Sequence, residues 1–164
     1  MAQLANDLRI TLSNRRVESP PGGFLQRRGK PKDAEVWMDY RAEIRRREGV
    51  EWTVETAAEG RITGAEALYW AEWLRAHAQP ERLPLFRKKD AGDAVARLWT
   101  PLAGQNAEFF LWADPAGGLA MLALFTPDDA NPHHRIGLET SVSPDDITAF
   151  AQALEADYAA LRDG

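Results

Sequence analysis

The chain contains no cysteine. Disulfides, thiolate nucleophiles, iron–sulfur clusters and cysteine zinc sites are therefore outside its chemistry, and a cytoplasmic location is the natural expectation. Histidine is scarce as well, with three in 164 residues. Long apolar runs are missing: the longest, Leu119 to Phe125, is far too short to cross a bilayer. The first thirteen residues hold Asp7 and Arg9 and lack a basic start followed by an apolar stretch, so no signal peptide is expected there. No G-x-S-x-G elbow and no phosphate-binding loop occur; Gly22-Gly23 has neither a strand before it nor the Lys-Ser/Thr pair after it. No internal repeat of fixed period is visible.

What is present is an ordinary globular balance, 45% apolar and 27% charged, in a length that suits one domain with one core. The net charge of −5 is unevenly spread. Residues 1–50 hold eleven Lys/Arg against seven Asp/Glu, a net of +4; residues 51–100 come to −1; residues 101–164 hold two against ten, a net of −8. Such a two-sided chain has consequences for partners rather than for fold.

Periodicity assigns the elements. Leu8, Ile10 and Leu12 alternate with polar neighbours and predict a short strand. Residues 14–34, with Arg15, Arg16, Pro20, Pro21, Gly22, Gly23, Arg27, Arg28, Lys30, Pro31 and Lys32, read as a long basic loop. Val36, Met38, Tyr40, Ala42 and Ile44 alternate with charged residues. A turn at Glu48-Gly49 leads to a second alternation at Trp52, Val54 and Thr56, together a β-hairpin. Thr63-Gly-Ala-Glu66 forms a capping-box sequence ahead of Ala67, Trp70, Ala71 and Leu74 at helical spacing, and Pro80 ends that helix. Three more strands are expected at 95–100, 107–113 and 117–126. In the last two, bulky apolar residues in succession suggest central strands covered on both faces. Ile136, Leu138, Thr140 and Val142 alternate again, and Ser143-Pro-Asp-Asp opens a final helix with the stripe Ile147, Phe150, Ala151, Leu154, Tyr158, Leu161. The expected fold is α+β: an antiparallel meander sheet of about seven strands with two helices packed on it.

Few residues invite chemistry. His133-His134 beside Asp128 and Asp129 suggest a metal site, but adjacent residues on an extended chain point to opposite faces, so a solvated loop is the better reading. Asp145-Asp146 are explained by the positive end of a helix. No enzyme activity, metal or cofactor is expected. Trp37 stands on the charged side of its strand, with Asp39, Arg41 and Glu43, where an exposed indole would anchor a protein contact. Asp128, Asp129 and Glu139 lie in the acidic third outside any cap and are candidates for meeting a basic partner. Arg27, Arg28, Lys30 and Lys32 are the candidates for tracking phosphates, with Phe24 as the lone aromatic in that loop. Overall acidity places nucleic-acid or nucleoprotein binding through the 14–34 loop second to protein binding, and an enzyme with an unrecognised site is the remaining alternative.

The layout resembles the WapI-type bacterial immunity proteins and related small domains of unknown function. The similar features are Gly49-Val-Glu-Trp52, which looks like the glycine-to-tryptophan strand before the first helix; Trp73-Leu74, like the pair near that helix's end; and Ser143-Pro-Asp-Asp-Ile147, like the junction to the final helix. Together they span about residues 35–162. The resemblance implies a small antidote that binds and blocks a toxin domain, with no catalytic residues. The basic stretch at 14–34 departs from that pattern.

Overall fold

The computed structural model describes residues 1–4, 7–18, 32–33, 36–49, 51–79, 96–102, 105–114, 118–126 and 135–163. Eight strands and two helices follow in the order β1 (Ala2–Leu4), β2 (Leu8–Val17), β3 (Val36–Glu48), β4 (Glu51–Thr63), α1 (Gly64–His77), β5 (Ala96–Leu102), β6 (Gln105–Ala113), β7 (Leu119–Phe125), β8 (Ile136–Val142) and α2 (Pro144–Asp163). The class is α+β with antiparallel strands and two helices. The strands form two four-stranded sheets, β1-β2-β3-β4 and β5-β6-β7-β8, rather than the single meander expected from sequence. Each sheet is a meander in itself, and each leads directly into a helix.

The architecture is therefore a four-strand-plus-helix unit used twice. The helix starts make the equivalence specific. Thr63 caps α1: its hydroxyl accepts from the Glu66 N–H, while the Glu66 carboxylate accepts from the Thr63 N–H at 2.8 Å. Ser143 caps α2 in the same way, accepting from the Asp146 N–H at 3.0 Å and donating its own N–H to Asp146 at 3.2 Å. Reciprocal caps of this kind satisfy two orphan donors at once. Burial holds the Glu66 carboxyl above its usual range, against the lowering effect of its Thr63 hydrogen bonds. Counting back from these caps, Glu59 corresponds to Glu139 and Arg61 to Ser141. Strand register extends the match. Arg41 pairs with Glu59 and Asp39 with Arg61, as Leu122 pairs with Glu139 and Ala120 with Ser141. On the next strand Thr11 and Ser13 correspond to Phe110 and Trp112.

One core serves both units. The inner face of the first sheet supplies Leu8, Ile10, Leu12, Val36, Met38, Tyr40 and Ala42; that of the second supplies Phe109, Leu111, Met121, Ala123 and Phe125. Trp70 of α1 joins them edge-on, with ring centroids 6.0 Å from Tyr40 and 5.4 Å from Phe109, and Phe125 closes the cluster at 6.3 Å from Tyr40 and 5.9 Å from Phe109. Offset aromatic pairs of this type add to the burial of apolar area, the main stabilising term. The helices tie the units crosswise. They pack on each other, α2 lies on β1 and β2 of the first unit, and α1, while resting on β3 and β4, also reaches β5 of the second. Arg75 and Glu155 bridge α1 and α2 through two hydrogen bonds of 2.5 and 2.6 Å, and the pairing raises the Arg75 pKa. Gly64 lets the Tyr158 ring of α2 lie directly on the start of α1, where a Cβ would overlap the ring.

Several local expectations change. The strand read at Leu8–Leu12 runs on to Val17, so residues 14–17 are strand rather than loop. Asn14 adopts a left-handed conformation (φ 52°) where the register shifts between Ser13 and Arg16. The Glu48-Gly49 turn is present, with Gly49 at φ 65°, and its strands are longer than the alternation suggested. The predicted Pro80 stop and most of the 14–34 stretch lie outside the described residues. No helix of the described residues is long and apolar enough to cross a membrane.

Candidate functional site

In a strand alternate residues face opposite sides, so each sheet has a second face turned away from the shared core. On the first sheet this face is a lattice of ions. Across its central strands run the rows Arg9–Glu43–Ala57, Thr11–Arg41–Glu59 and Ser13–Asp39–Arg61. Arg41 donates to Glu43 at 2.9 Å and to Glu59, Arg9 lies 3.6 Å from Glu43, and Arg16 reaches Asp39 at 3.1 Å. The carboxylates of Glu43 and Glu59 push the Arg41 pKa up. Opposite charges side by side on neighbouring strands neutralise one another in place. Trp37 sits at the end of this face, opposite Arg16 and Thr63, and is half-buried rather than fully exposed.

The equivalent face of the second sheet has a different chemistry. Its rows are Glu108–Leu124–Gly137, Phe110–Leu122–Glu139 and Trp112–Ala120–Ser141. Phe110, Trp112, Leu122 and Leu124 are half-buried on it, while their neighbours Phe109, Leu111, Met121 and Ala123 are sealed in the core. These strands are central in their sheet, as read from sequence; their inner face is sealed and their outer side chains are half-buried. Glu108 is 3% exposed and receives a 2.6 Å hydrogen bond from Arg135. This buried charge is paired, as burial demands.

Each face carries a concavity, and the two occupy equivalent positions. On the first sheet a hollow of about 410 Å³ is lined by residues including Ser13, Asp39, Arg41, Glu59 and Arg61. On the second a hollow of about 400 Å³ is lined by Trp112, Asp114, Ala120, Glu139, Thr140 and Ser141. The first is filled with internally paired charges. The second has an indole wall, a small apolar floor at Ala120 and two carboxylates. Glu139 is exposed there and, among the described residues, makes no ion pair; Ser141 donates to Asp114 at 3.4 Å.

Of the residues singled out from sequence, Glu139 belongs to this second hollow and Trp37 to the ionic face, so the structure does not bring them together. Lys32 is exposed, next to Asp33, which accepts from the Tyr158 hydroxyl. Asp128, Asp129, Arg27, Arg28 and Lys30 lie outside the described residues, as do His133 and His134. Among the described residues no group of three or more His, Asp or Glu side chains has a metal-binding arrangement. Sequence reasoning did not single out the half-buried Phe110, Trp112 and Leu122, nor Asp114, as candidates. Their only signal was an unbroken apolar run inside the acidic third. Comparison with models of protein families gives no match, and comparison with curated proteins gives none either.

Proposed function

We propose that this chain is a protein-binding module that uses the outer face of its second sheet. The observation carrying the reading is the half-buried set Phe110, Trp112, Leu122 and Leu124, flanked by Glu139 and Asp114, in which Leu122 and Leu124 take the places of the paired Arg41 and Glu43 and Phe110 and Trp112 those of Thr11 and Ser13. Aromatic and aliphatic side chains ringed by acids suit the centre and rim of a protein contact. The surplus of acid in residues 101–164 favours a basic partner and speeds its approach. The resemblance to WapI-type immunity proteins supports a narrower form of the same reading: a cytoplasmic bacterial antidote that neutralises its toxin by covering it, without turnover.

The test is capture of partners by the tagged chain in its native host at low and high salt, with nuclease treatment in parallel and mass-spectrometric readout. The expected result is one stoichiometric protein that survives nuclease and is absent when Leu122→Asp is the bait. Nucleic acid released by salt in place of a protein would overturn the reading in favour of the basic 14–34 segment.

A further inference from the structure

The equivalence of the two hollows identifies what the second one lacks. In the first unit Glu59 is met in register by Arg41, whose guanidinium also reaches Glu43. In the second unit Glu139 occupies the place of Glu59, but its partner in register is Leu122. The other polar members of the first hollow have changed too: Asp39 is replaced by Ala120 and Arg61 by Ser141, while Ser13 is replaced by Trp112. The outcome is a hollow of nearly the same size that has kept a carboxylate and gained an aromatic wall, and among the described residues no arginine lines it.

We infer that this hollow receives an arginine side chain from the partner, which takes intermolecularly the place that Arg41 takes within the first unit. The inference deepens the protein-binding reading and rests on it. Three features fit a guanidinium. The Glu139 carboxylate offers two acceptor oxygens to a planar fork of N–H donors. The Trp112 ring gives the cation a π face, and indole is the strongest such partner among the side chains. Asp114, which also lines the hollow and accepts from Ser141, adds a second negative charge. Ala120 leaves the floor open for the aliphatic stem of an arginine to lie against it. Arginine is also among the residues most enriched at the energetic centres of protein interfaces.

The probe is arginine amide, with lysine amide at the same concentration as comparison, titrated into the full chain at low salt. The readout is the indole N–H of Trp112 and the backbone amides of Ala120, Glu139 and Ser141 by nuclear magnetic resonance. Saturable shifts confined to these groups are expected for arginine amide, with weaker binding of lysine amide. Glu139→Gln, an exposed and conservative change, is expected to weaken arginine-amide binding about fivefold, the upper range for a solvent-screened ion pair. Leu122→Arg restores the in-register cation of the first unit and is expected to abolish the response by closing the hollow from within. Shifts that fail to saturate, that persist unchanged in Glu139→Gln, or that appear equally around Asp39 and Glu59 would overturn the inference. Its failure is distinct from failure of the binding reading: a captured partner lost with Leu122→Asp yet unaffected by Glu139→Gln would leave the face as the contact and remove arginine from the hollow.

Discussion

The two sheets share a topology, a helix cap and a core, yet their outer faces differ in kind. On the first, Arg9, Arg41 and Arg16 meet Glu43, Glu59 and Asp39 within the chain. On the second, Leu122 and Leu124 take the places of Arg41 and Glu43, and Phe110 and Trp112 those of Thr11 and Ser13. The fold does not require Leu122 and Leu124 to be apolar, because Arg41 and Glu43 stand at those places on the first sheet. A self-neutralised surface leaves little net charge to attract a partner and loses its internal pairs if one binds. An apolar surface with acid at its edge gains from being covered, through removal of apolar area from water and through charge complementarity. In the proposed reading, the first face is the one built to face water and the second the one that meets a partner.

Breaking what the two units have in common should have the largest effect. Trp70 touches Tyr40 of the first sheet and Phe109 of the second, so Trp70→Ala should cost about 3–5 kcal/mol in chemical denaturation. Because the core is shared, unfolding of the wild type should be one transition by both fluorescence and circular dichroism; two separated transitions would show the units to be independent. Leu122→Asp attacks only the difference: it should leave the fold in place while costing at least about 2 kcal/mol of partner binding, as for a residue at an interface centre. The seam between the units is sharpened by Gly64→Ala, whose added methyl collides with Tyr158 and should destabilise by about 1–3 kcal/mol in the same denaturation assay. Next in size is the cap: Thr63→Ala should cost about 1 kcal/mol, and Ser143→Ala a similar amount if the two caps are equivalent.

The smallest effect expected is in alkali. Burial, with the Asp33 carboxylate second, raises the Tyr158 pKa above its ordinary value of about 10. The folded state therefore keeps its phenolic proton where the unfolded chain begins to lose it. Stability from this group is complete below about pH 10 and declines as pH rises beyond it. In Tyr158→Phe this alkaline decline should be reduced, as read from thermal melts across pH 9–11, a range flanking the ordinary tyrosine value of about 10.

How much of this was legible in the sequence varied with the physics of each element. Both helices were visible through their caps, since Thr63–Glu66 and Ser143–Asp146 are local hydrogen-bond chemistry. The hairpin around Gly49 was visible because alternation over Val36–Ile44 is strict. β1 spans three residues, too few for any period, and the end of β4, Ala57-Ala-Glu-Gly60, is made of weak strand formers held by pairing with β3. Duplication escaped notice because the units repeat geometry rather than residues: Arg41 and Leu122, or Ser13 and Trp112, share a place and no chemistry. The half-buried state of the second sheet's outer face was not legible in the sequence. Apolar residues on both sides of a strand signal double coverage when neighbours are unknown. Glu139 was found from acidity alone, and only the folded sheet placed it in one hollow with Trp112.

The most direct test of the central claim sets the two faces against each other with one captured partner. Calorimetric titration of that partner into the wild type, Leu122→Asp and Arg41→Asp compares equivalent positions carrying the same new residue. The account predicts that Leu122→Asp raises Kd by about thirtyfold or more, the equivalent of about 2 kcal/mol, while Arg41→Asp leaves Kd within about twofold. A large loss with Arg41→Asp and none with Leu122→Asp would contradict it, and would make the ionic face, with Trp37, the surface that binds.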